Sequence, residues 1–376
     1  MDRPFVYGDL AQKENFIDRT EDKRKLKTFL SNGVNVMLIS PRRWGKSSLV
    51  KAAMEELCKE DDKVRVCFMD AFTVNTLAGF YDSYASSVIK GIGSGWDKVA
   101  GYLRKFLPSL SPSIRLGEDP VNSVSLGLNL KDTKSEEEVL NLPEKIAADK
   151  GWHVIICIDE FQQLAELPEW KELEGKLRSV WQQQENVTYC LYGSQRHMMS
   201  EIFNNSSNPF YRFGQVLYLG KIPKECWIPY ITGSFEKTGK KISEKVAGEI
   251  CDAVKCHSWY VQQLSFFVWA DTKDVADEAV FRRQLQTLID TNAPLFEAVT
   301  GRLAASQISM LKAIASGETK LSSRNVVERY RLGAPQTISK NKRMLVNLDI
   351  VEKGPGGFSF VDPTFELWFR QKFLDV

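Results

Sequence analysis

The chain has 376 residues, with 50 Lys or Arg against 48 Asp or Glu and a formal net charge of +2. A charge this close to zero argues against a protein that binds nucleic acid through global positive charge. The length is enough for one core domain with one or two smaller domains. No run of about eighteen uncharged apolar residues occurs, so we expect neither export nor a membrane span.

The cysteine pattern predicts reduced thiols. The chain has seven cysteines, an odd number, and several fall within predicted core strands. This is typical of a cytoplasmic protein rather than of one built on disulfides. Cys251, Cys256 and His257 are close in sequence, but no second ligand pair follows at the spacing of a zinc site, so we expect no metal there.

The first elements predicted along the chain are a helix, a strand and a second helix. Residues 16–30 form an amphipathic pattern, residues 34–39 contain an apolar run, and residues 49–57 are good helix formers. Between the strand and the second helix lies Ser-Pro-Arg-Arg-Trp-Gly-Lys-Ser-Ser, residues 40–48. A strand, a Gly-Lys-Ser loop and a helix in this order are what a nucleotide-phosphate site requires.

The chemistry predicted for this loop is phosphate and magnesium binding. Backbone N–H groups of the loop and the helix N-terminus can point at the phosphates, Lys46 adds a positive charge, and the Ser47 hydroxyl can ligate Mg²⁺. The predicted nucleotide contacts are Pro41, Arg42, Arg43, Trp44, Gly45, Lys46, Ser47 and Ser48. Ser40 stands where the pattern G-x-x-x-x-G-K-[ST] has its first glycine. The alternative is an ordinary helix N-terminus with a surface lysine.

The next segment begins regularly and then loosens. Residues 64–69 alternate and end in Asp70, which predicts a second strand, and residues 72–90 follow a helical pattern. Residues 91–143 contain scattered glycines and prolines, with one short alternating stretch at 121–130 that fits a strand or a hairpin arm. We expect this region to be an insertion or a mobile flap over the site.

A second motif supports the nucleotide site. Residues 153–158 are a continuous apolar strand of the kind that is buried on both faces of a parallel sheet, and Asp159 and Glu160 follow at its end. There, Asp159 can support Mg²⁺ and Glu160 can deprotonate an attacking water. The alternative is a pair of solvated acids at the start of a helix over 161–166, where the helix dipole favours negative charge.

Two further strands complete the predicted sheet. After a helix around 170–184, residues 187–192 form a strand that ends near Ser194 and Gln195, and residues 215–220 form another. Either polar side chain can sense the γ-phosphate or fix the water, or can simply end a strand. Five strands separated by helices predict an α/β fold, a doubly wound P-loop core that ends near residue 221.

The remainder of the chain is predicted to form two helical regions. Residues 222–299 are rich in helical patterns, and we expect them to form a lid beside the nucleotide. From residue 301, three helices at 303–315, 323–330 and 335–348 precede a hairpin at 350–361. Three helices followed by a wing are the arrangement of a winged helix-turn-helix domain.

The charge of residues 301–376 does not decide whether their partner is DNA or a protein. Residues 301–376 contain twelve basic and seven acidic residues, and Lys340, Lys342 and Arg343 lie on the predicted recognition helix. That excess is modest, and winged helices also bind proteins, so the pattern fits DNA and a protein partner equally well.

Together these motifs resemble the archaeal-type ATPase family, a branch of the STAND class of P-loop NTPases within the wider AAA-like ATPases. The resemblance spans nearly the whole chain. It rests on the motifs at residues 16–19, 41–47, 158–162, 192–194, 208–211, 258–264 and 362–363. It implies a P-loop core at 1–221 with 91–143 as its insertion, a helical lid at 222–299 and a winged helix at 300–376.

The resemblance also implies roles for single residues. Lys46 and Ser47 would bind ATP and Mg²⁺, Asp159 would support the metal, and Glu160 would activate water. Arg212 occupies the neighbourhood from which related ATPases supply an arginine to the nucleotide of a neighbouring subunit, with a structural ion pair as the alternative. His257 lies where the lid of such proteins approaches the phosphates, although packing is the simpler role.

Two functions follow from these observations. The first is a slow, Mg²⁺-dependent ATPase whose nucleotide cycle moves the winged helix, with self-association a further expectation. The second is a regulator that binds DNA under nucleotide control without appreciable hydrolysis, since Ser40 replaces a glycine. The guanine-reading pattern Asn-Lys-x-Asp does not occur, which favours ATP over GTP.

Overall fold

The structure, a computed structural model, describes residues 4–8, 17–92, 101–102, 105–107, 113–116, 124–128, 133–354 and 356–374. The chain divides into two compact units. The first is Arg19–Gly220, and the second combines the described residues up to Asp18 with those from Lys221 onward. In the part of the chain that the structure describes, no helix has the length and apolar composition needed to cross a membrane.

A five-stranded parallel sheet forms the centre of the first unit. Its strands are β1 (Val36–Ile39), β2 (Val64–Asp70), β5 (His153–Asp159), β6 (Val187–Gly193) and β7 (Gln215–Tyr218), in the order β2-β5-β6-β1-β7. Every residue of β1 and β6 is buried, because helices cover both faces of the sheet there. The expected parallel P-loop core is confirmed.

Helices and one hairpin surround this sheet. The helices are α1 (Thr20–Ser31), α2 (Lys46–Glu60), α3 (Leu77–Ile92), α4 (Thr133–Leu140), α5 (Leu142–Lys150), α6 (Trp170–Trp181) and α7 (Arg196–Asn204). Strands β3 (Ser113–Leu116) and β4 (Val124–Gly127) pair antiparallel. The rings of Trp181 and Tyr189 stack at 4.0 Å between centroids in the core, so α6 is anchored directly to β6.

The second unit is mainly helical. Its helices are α8 (Lys224–Glu236), α9 (Glu244–Ala253), α10 (Ser258–Asp271), α11 (Glu278–Thr300), α12 (Ala305–Ala315), α13 (Arg324–Tyr330), α14 (Pro335–Asn347) and α15 (Pro363–Phe373). Strands β8 (Lys241–Ile242) and β9 (Val275–Ala276) form a short parallel pair, and β10 (Val351–Gly354) and β11 (Gly357–Phe360) form an antiparallel hairpin. Helices α12 to α14 with this hairpin are the expected winged helix.

Some local expectations need correction. Helix α3 spans Leu77–Ile92 and follows a separate 3₁₀ turn at Ala71–Thr73, whereas the sequence pattern predicts one helix over 72–90. Near its end, Gly91 packs against β2, where a Cβ atom would lie 2.5 Å from the carbonyl oxygen of Val66. The segment after Glu160 is a 3₁₀ helix, Phe161–Glu166. The stretch at 121–130 contains β4, a hairpin arm, whereas most of the remaining 91–132 region lies outside the described residues.

Candidate functional site

The loop between β1 and α2 is built around glycine at its end. Gly45 is the N-cap of α2 and has a φ of 90°, a left-handed conformation that glycine adopts without steric cost. Gly45 has no side chain, so it cannot cap the N–H groups of the first turn of α2. This N-terminus is therefore suited to an anionic ligand.

Ser40 does not carry the loop's left-handed turn. Its side chain is fully buried, its N–H donates to Gly193 O at 3.4 Å, and its hydroxyl donates to Pro41 O at 3.2 Å. The left-handed residues of the loop are Arg43, with a φ of 64°, and Gly45. The loop thus needs no glycine at Ser40.

Lys46 lies at the start of α2 with its ammonium group inside the protein. Only 5% of its surface is exposed, and its Nζ lies 4.0 Å from Glu160 Oε1. Burial lowers the pKa of Lys46, the carboxylates of Glu160 and Asp159 act against this, and Arg42 adds to the lowering. Because burial outweighs the two carboxylates, the charged form of Lys46 would gain from an additional anion.

Ser47 and Asp159 form a pair of oxygen donors. The Ser47 hydroxyl donates to Asp159 Oδ2 at 2.6 Å, at the carboxyl end of β5. Burial raises the pKa of Asp159, whereas the Ser47 hydrogen bond lowers it. Over the described residues, no group of three or more His, Cys, Asp or Glu side chains could hold a metal. One hydroxyl and one carboxylate fit Mg²⁺, which usually takes its other ligands from phosphates and water.

Glu160 is held in one orientation by three donors. Its Oε2 accepts hydrogen bonds from the Ser194 hydroxyl at 2.6 Å, the Gln162 side-chain amide at 2.6 Å and the Ser194 N–H at 3.3 Å. Burial opposes ionisation of Glu160, but Lys46 and the Ser194 and Gln162 hydrogen bonds outweigh it, so the pKa of Glu160 lies below its usual range. The carboxylate is therefore ionised at neutral pH.

Ser194 also connects the strand tip to the loop. The Arg42 Nε donates to the Ser194 hydroxyl oxygen at 3.4 Å, so Arg42, Ser194 and Glu160 form a continuous polar chain. The structure thus brings Ser194 together with the predicted loop and carboxylates. Gln195, the other candidate at this strand end, is half-buried and precedes α7.

Two residues at this site carried no predicted role. Gln162 donates to Glu160, and Gly193 leaves room for it, since a Cβ at Gly193 would lie 1.9 Å from Gln162 Oε1. Their signal in the sequence is position alone: Gln162 lies two residues after Glu160, and Gly193 directly precedes Ser194.

Arg19 is a third residue whose role was not predicted. Its side chain is buried, Nη1 donates to Gly220 O at 2.8 Å, and Nη2 donates to Trp44 O at 3.1 Å. Arg19 thus fastens the loop before Lys46 to the segment that follows β7. Its presence in the motif at residues 16–19 is the signal that could have identified it.

The other predicted residues occupy varied environments. Pro41, Trp44 and Ser48 are buried in the loop and α2, and Arg43 is exposed. Arg212 is exposed, with its guanidinium 5.2 Å from the centre of the Tyr211 ring, and it makes no hydrogen bond or ion pair with the loop or Glu160 among the described residues. His257 is buried in the second unit, 4.9 Å from the Tyr260 ring.

Two solved structures of ATP- or nucleotide-binding proteins align with nearly the whole chain. A Walker-type ATPase of Pyrococcus abyssi aligns with a TM-score of 0.71 at 17% identity, covering 98% of this chain and 99% of that chain. The ORC2 protein of Aeropyrum pernix in ADPNP–ADP complexes aligns with a TM-score of 0.61 at 14% identity, covering 99% and 98%. The core has the fold of P-loop ATPases.

Sequence comparisons locate the C-terminal domain. The family described as "Probable winged helix domain" matches residues 294–371, which is less than half of the chain. No curated protein sequence matches the chain significantly. The fold is therefore a parallel α/β core like that of P-loop ATPases with a C-terminal winged helix domain.

Proposed function

We propose that this protein binds ATP with Mg²⁺ at residues 40–48 and hydrolyses it slowly, as a conformational switch. One observation carries the proposal: Lys46, the Ser47–Asp159 pair and Glu160 converge at the carboxyl ends of neighbouring strands. Ligands of α/β sheets bind at such strand ends. The motifs at residues 16–19, 158–162 and 208–211 favour the STAND branch of this class, and the free thiols favour a cytoplasmic location.

The loop would bind the triphosphate mainly through backbone and charge. The N–H groups of the loop and of the first turn of α2 would donate to the phosphates, and Lys46 would neutralise part of their charge. Arg42 and Arg43 would add exposed positive charge at the loop. Ser47 and Asp159 would hold Mg²⁺, which when bound supplies further stabilisation of the charge on the phosphate oxygens.

Glu160 would act as the general base. Its Oε2 is occupied by Ser194 and Gln162, which leaves Oε1, the oxygen nearer Lys46, as the atom that accepts a proton from water. A base with a low pKa is a weak one, and this supports a slow rate. As Arg212 is exposed, it could reach the nucleotide of a second copy in a homo-oligomer.

The lid and the winged helix, which we assign to residues 222–299 and 300–376, are joined by side chains. The Tyr260 hydroxyl on α10 donates to Asp362 Oδ2 at 2.5 Å, directly before α15. Lys255 also pairs with Glu366 on α15. A movement of α10 in response to nucleotide would thereby be transmitted to α15, which is the coupling that a switch requires.

The first prediction tests the assigned base. In Glu160→Gln, the amide cannot accept the proton, so ATP hydrolysis should fall by roughly 100-fold or more while nucleotide binding persists. Phosphate release and the affinity for a fluorescent ATP analogue measure the two effects. Glu166→Gln is the matched control, because Glu166 is an exposed acid at the far end of the same 3₁₀ helix. Unchanged turnover in Glu160→Gln would exclude the role.

The alternative function is a DNA-binding regulator that retains nucleotide without hydrolysing it. It is favoured by one observation: Lys340 and Arg343 are exposed on α14, the predicted recognition helix. Mass spectrometry of nucleotide retained through purification, together with phosphate release, separates the two functions. Bound nucleotide without phosphate release, and DNA affinity that falls with salt and with Arg343→Ala, would favour the regulator.

A further inference from the structure

The end of helix α9 brings two cysteines together. The helix ends at Ala253, and Lys255 N–H donates to Asp252 O at 3.1 Å while Cys256 N–H donates to Cys251 O at 2.8 Å. These two bonds are the 5→2 and 6→1 pair of a Schellman motif. In that motif the side chains of the residues joined by the 6→1 bond commonly touch, and here both are cysteines.

The turn is formed without glycine. Lys255 and Cys256 have φ values of 49° and 53°, so both adopt the left-handed region that side chains rarely occupy. Two interactions hold the turn in place: Lys221 Nζ donates to Lys255 O at 2.7 Å, and the Lys255 side chain pairs with Glu366. The proximity of Cys251 and Cys256 is therefore part of the backbone geometry rather than of a mobile loop.

The two thiols differ in acidity. The neighbouring Cys251 side chain lowers the pKa of Cys256 to about 7, with Lys221 and Lys224 adding to the lowering against burial and Asp252. The Cys256 side chain and burial raise the pKa of Cys251. Cys256 is half-buried and so remains partly accessible, whereas Cys251 is buried. This asymmetry assigns Cys256 the first step of any reaction.

We propose that Cys251 and Cys256 are a redox-sensitive pair that forms a reversible disulfide with a low-molecular-weight disulfide as oxidant. This inference is independent of the function proposed above, since neither cysteine belongs to the nucleotide site. All seven cysteines are free thiols in the structure, so the reduced form is the one described.

The reaction has two balanced steps. The Cys256 thiolate attacks one sulfur of the oxidant, forms a mixed disulfide and releases one small thiolate. Cys251 then loses its proton to the first small thiolate, attacks Cys256 Sγ and releases the second small thiolate, which takes up from the solvent the proton that Cys256 released on ionising. Overall, two protein thiols lose two hydrogens and two electrons, and the oxidant is reduced to two thiols.

The second step is favoured by the first. The Cys256 side chain is the leading cause of the raised pKa of Cys251. Once Cys256 is part of a mixed disulfide, its negative charge is gone, so Cys251 ionises more readily. The Schellman turn fixes the backbone positions of the two cysteines, and side chains at these two positions commonly touch.

Native alkylation is the first test. At about pH 7 with limiting iodoacetamide, Cys256 should be labelled roughly tenfold faster than Cys58, because the thiolate is the reacting form. Cys58 is the matched control, since it is exposed but burial of its sulfur raises its pKa. Peptide mass spectrometry measures both rates, and faster labelling of Cys58 would overturn the proposal.

Oxidation of the whole protein is the second test. After treatment with glutathione disulfide, trypsin cleaves at Lys255 and separates the two cysteines, so a bridge appears as a cross-linked peptide pair that dithiothreitol releases. In Cys251→Ser the glutathione adduct should remain on Cys256, and in Cys256→Ser neither adduct nor bridge should form at this turn. A wild-type adduct on Cys256 that never resolves into the cross-link would contradict the assignment of Cys251.

Discussion

The backbone and the side chain of Glu160 are both constrained. Its φ of 48° is left-handed, which costs a non-glycine residue about 1–2 kcal/mol, and such strain is found where the surroundings determine one conformation. Here the surroundings are the Gln162 amide and the Ser194 hydroxyl and N–H, all on one carboxylate oxygen. The arrangement fixes which oxygen faces Lys46.

Gly193→Ala should disturb this arrangement through its added methyl group, while keeping the Gly193 carbonyl that accepts from Ser40 N–H. The added methyl group would meet Gln162 Oε1, so the amide must shift and donate less well to Glu160. We expect hydrolysis to fall roughly 10- to 100-fold, since small misplacements of a catalytic group are costly. Because the Gln162 hydrogen bond lowers the pKa of Glu160, its loss raises that pKa and moves the acid limb of the pH–rate profile to higher pH.

The control for this variant is Gly175→Ala on α6. No atom lies within 4 Å of a Cβ placed at Gly175, and alanine is the better helix former, so rate and pH profile should not change. A normal acid limb in Gly193→Ala would contradict the role of Gln162.

At the scale of elements, α1 is tied to the loop at residues 40–48 by the residue that precedes it. Arg19 is the N-cap position of α1, and its guanidinium donates to Trp44 O in the loop and to Gly220 O after β7. Both carbonyls are backbone groups, so the contact depends on the folded path of the chain. Arg19 thereby stabilises the loop from outside the motif that defines it.

Arg19→Met should destabilise the first unit. The hydrogen bonds to the two backbone carbonyls and the ion pair with Asp22 are lost, and the carbonyls are left without that donor, so we expect a decrease of roughly 2–3 kcal/mol in the free energy of unfolding. Urea unfolding measures it. Arg24→Met, on the same helix but in an exposed pair with Glu21, should leave the urea midpoint unchanged. Equal urea midpoints for the two variants would contradict a stabilising role for the Arg19 hydrogen bonds.

The elements were predictable where local pattern decides them. Apolar runs and the Gly-Lys-Ser loop were sufficient for β1, α2 and β5, and acidic residues after a strand were sufficient for Asp159. The roles of Arg19 and Gly193 were not predictable, because the carbonyls that Arg19 binds lie 25 and 201 residues away and the role of Gly193 depends on an interatomic gap. Gln162 is only two residues from Glu160, but no pattern shows that its amide turns back onto that carboxylate.

Helix α15 was missed for a different reason. Asp362 and a proline at the first helical position are an N-cap signal, and the Asp362 side chain does accept from Thr364 and Phe365 N–H groups. Three helices and a hairpin already satisfy the winged-helix pattern, so that pattern predicts no element after residue 361. Its buried aromatic residues instead complete the core of that domain.

At the scale of the whole molecule, the two parts of the second unit, residues 222–299 and 300–376, are connected by a long helix and by one shared carboxylate. Helix α11 is continuous from Glu278 to Thr300 and packs against both α10 and α15. Asp362 is a shared point: its Oδ1 caps α15, and its Oδ2 accepts from Tyr260 on α10. Because one carboxylate both caps α15 and binds Tyr260, the stability of α15 depends on the position of α10.

Tyr260→Phe should uncouple these helices. It removes the hydroxyl donor but leaves the ring and the Asp362 cap, so any change in amide exchange of α15 on adding a non-hydrolysable ATP analogue should shrink, while hydrolysis continues. Hydrogen exchange with and without the analogue measures this. Tyr230→Phe is the control, because the acceptors near that hydroxyl, Gln262 Oε1 and the carbonyl oxygen of Pro4, lie outside α15. Protection confined to residues 40–48 in wild type would contradict the coupling.

The conformation and burial of Ser40 affect how related chains can be recognised from their sequences. The loop places its left-handed residues at Arg43 and Gly45, and Ser40 fits as a small, fully buried side chain. A search pattern that demands glycine at the first position would therefore overlook chains of this kind. A pattern that allows any small residue there, keeps glycine before the lysine, and adds an arginine about twenty residues upstream would find them on physical grounds.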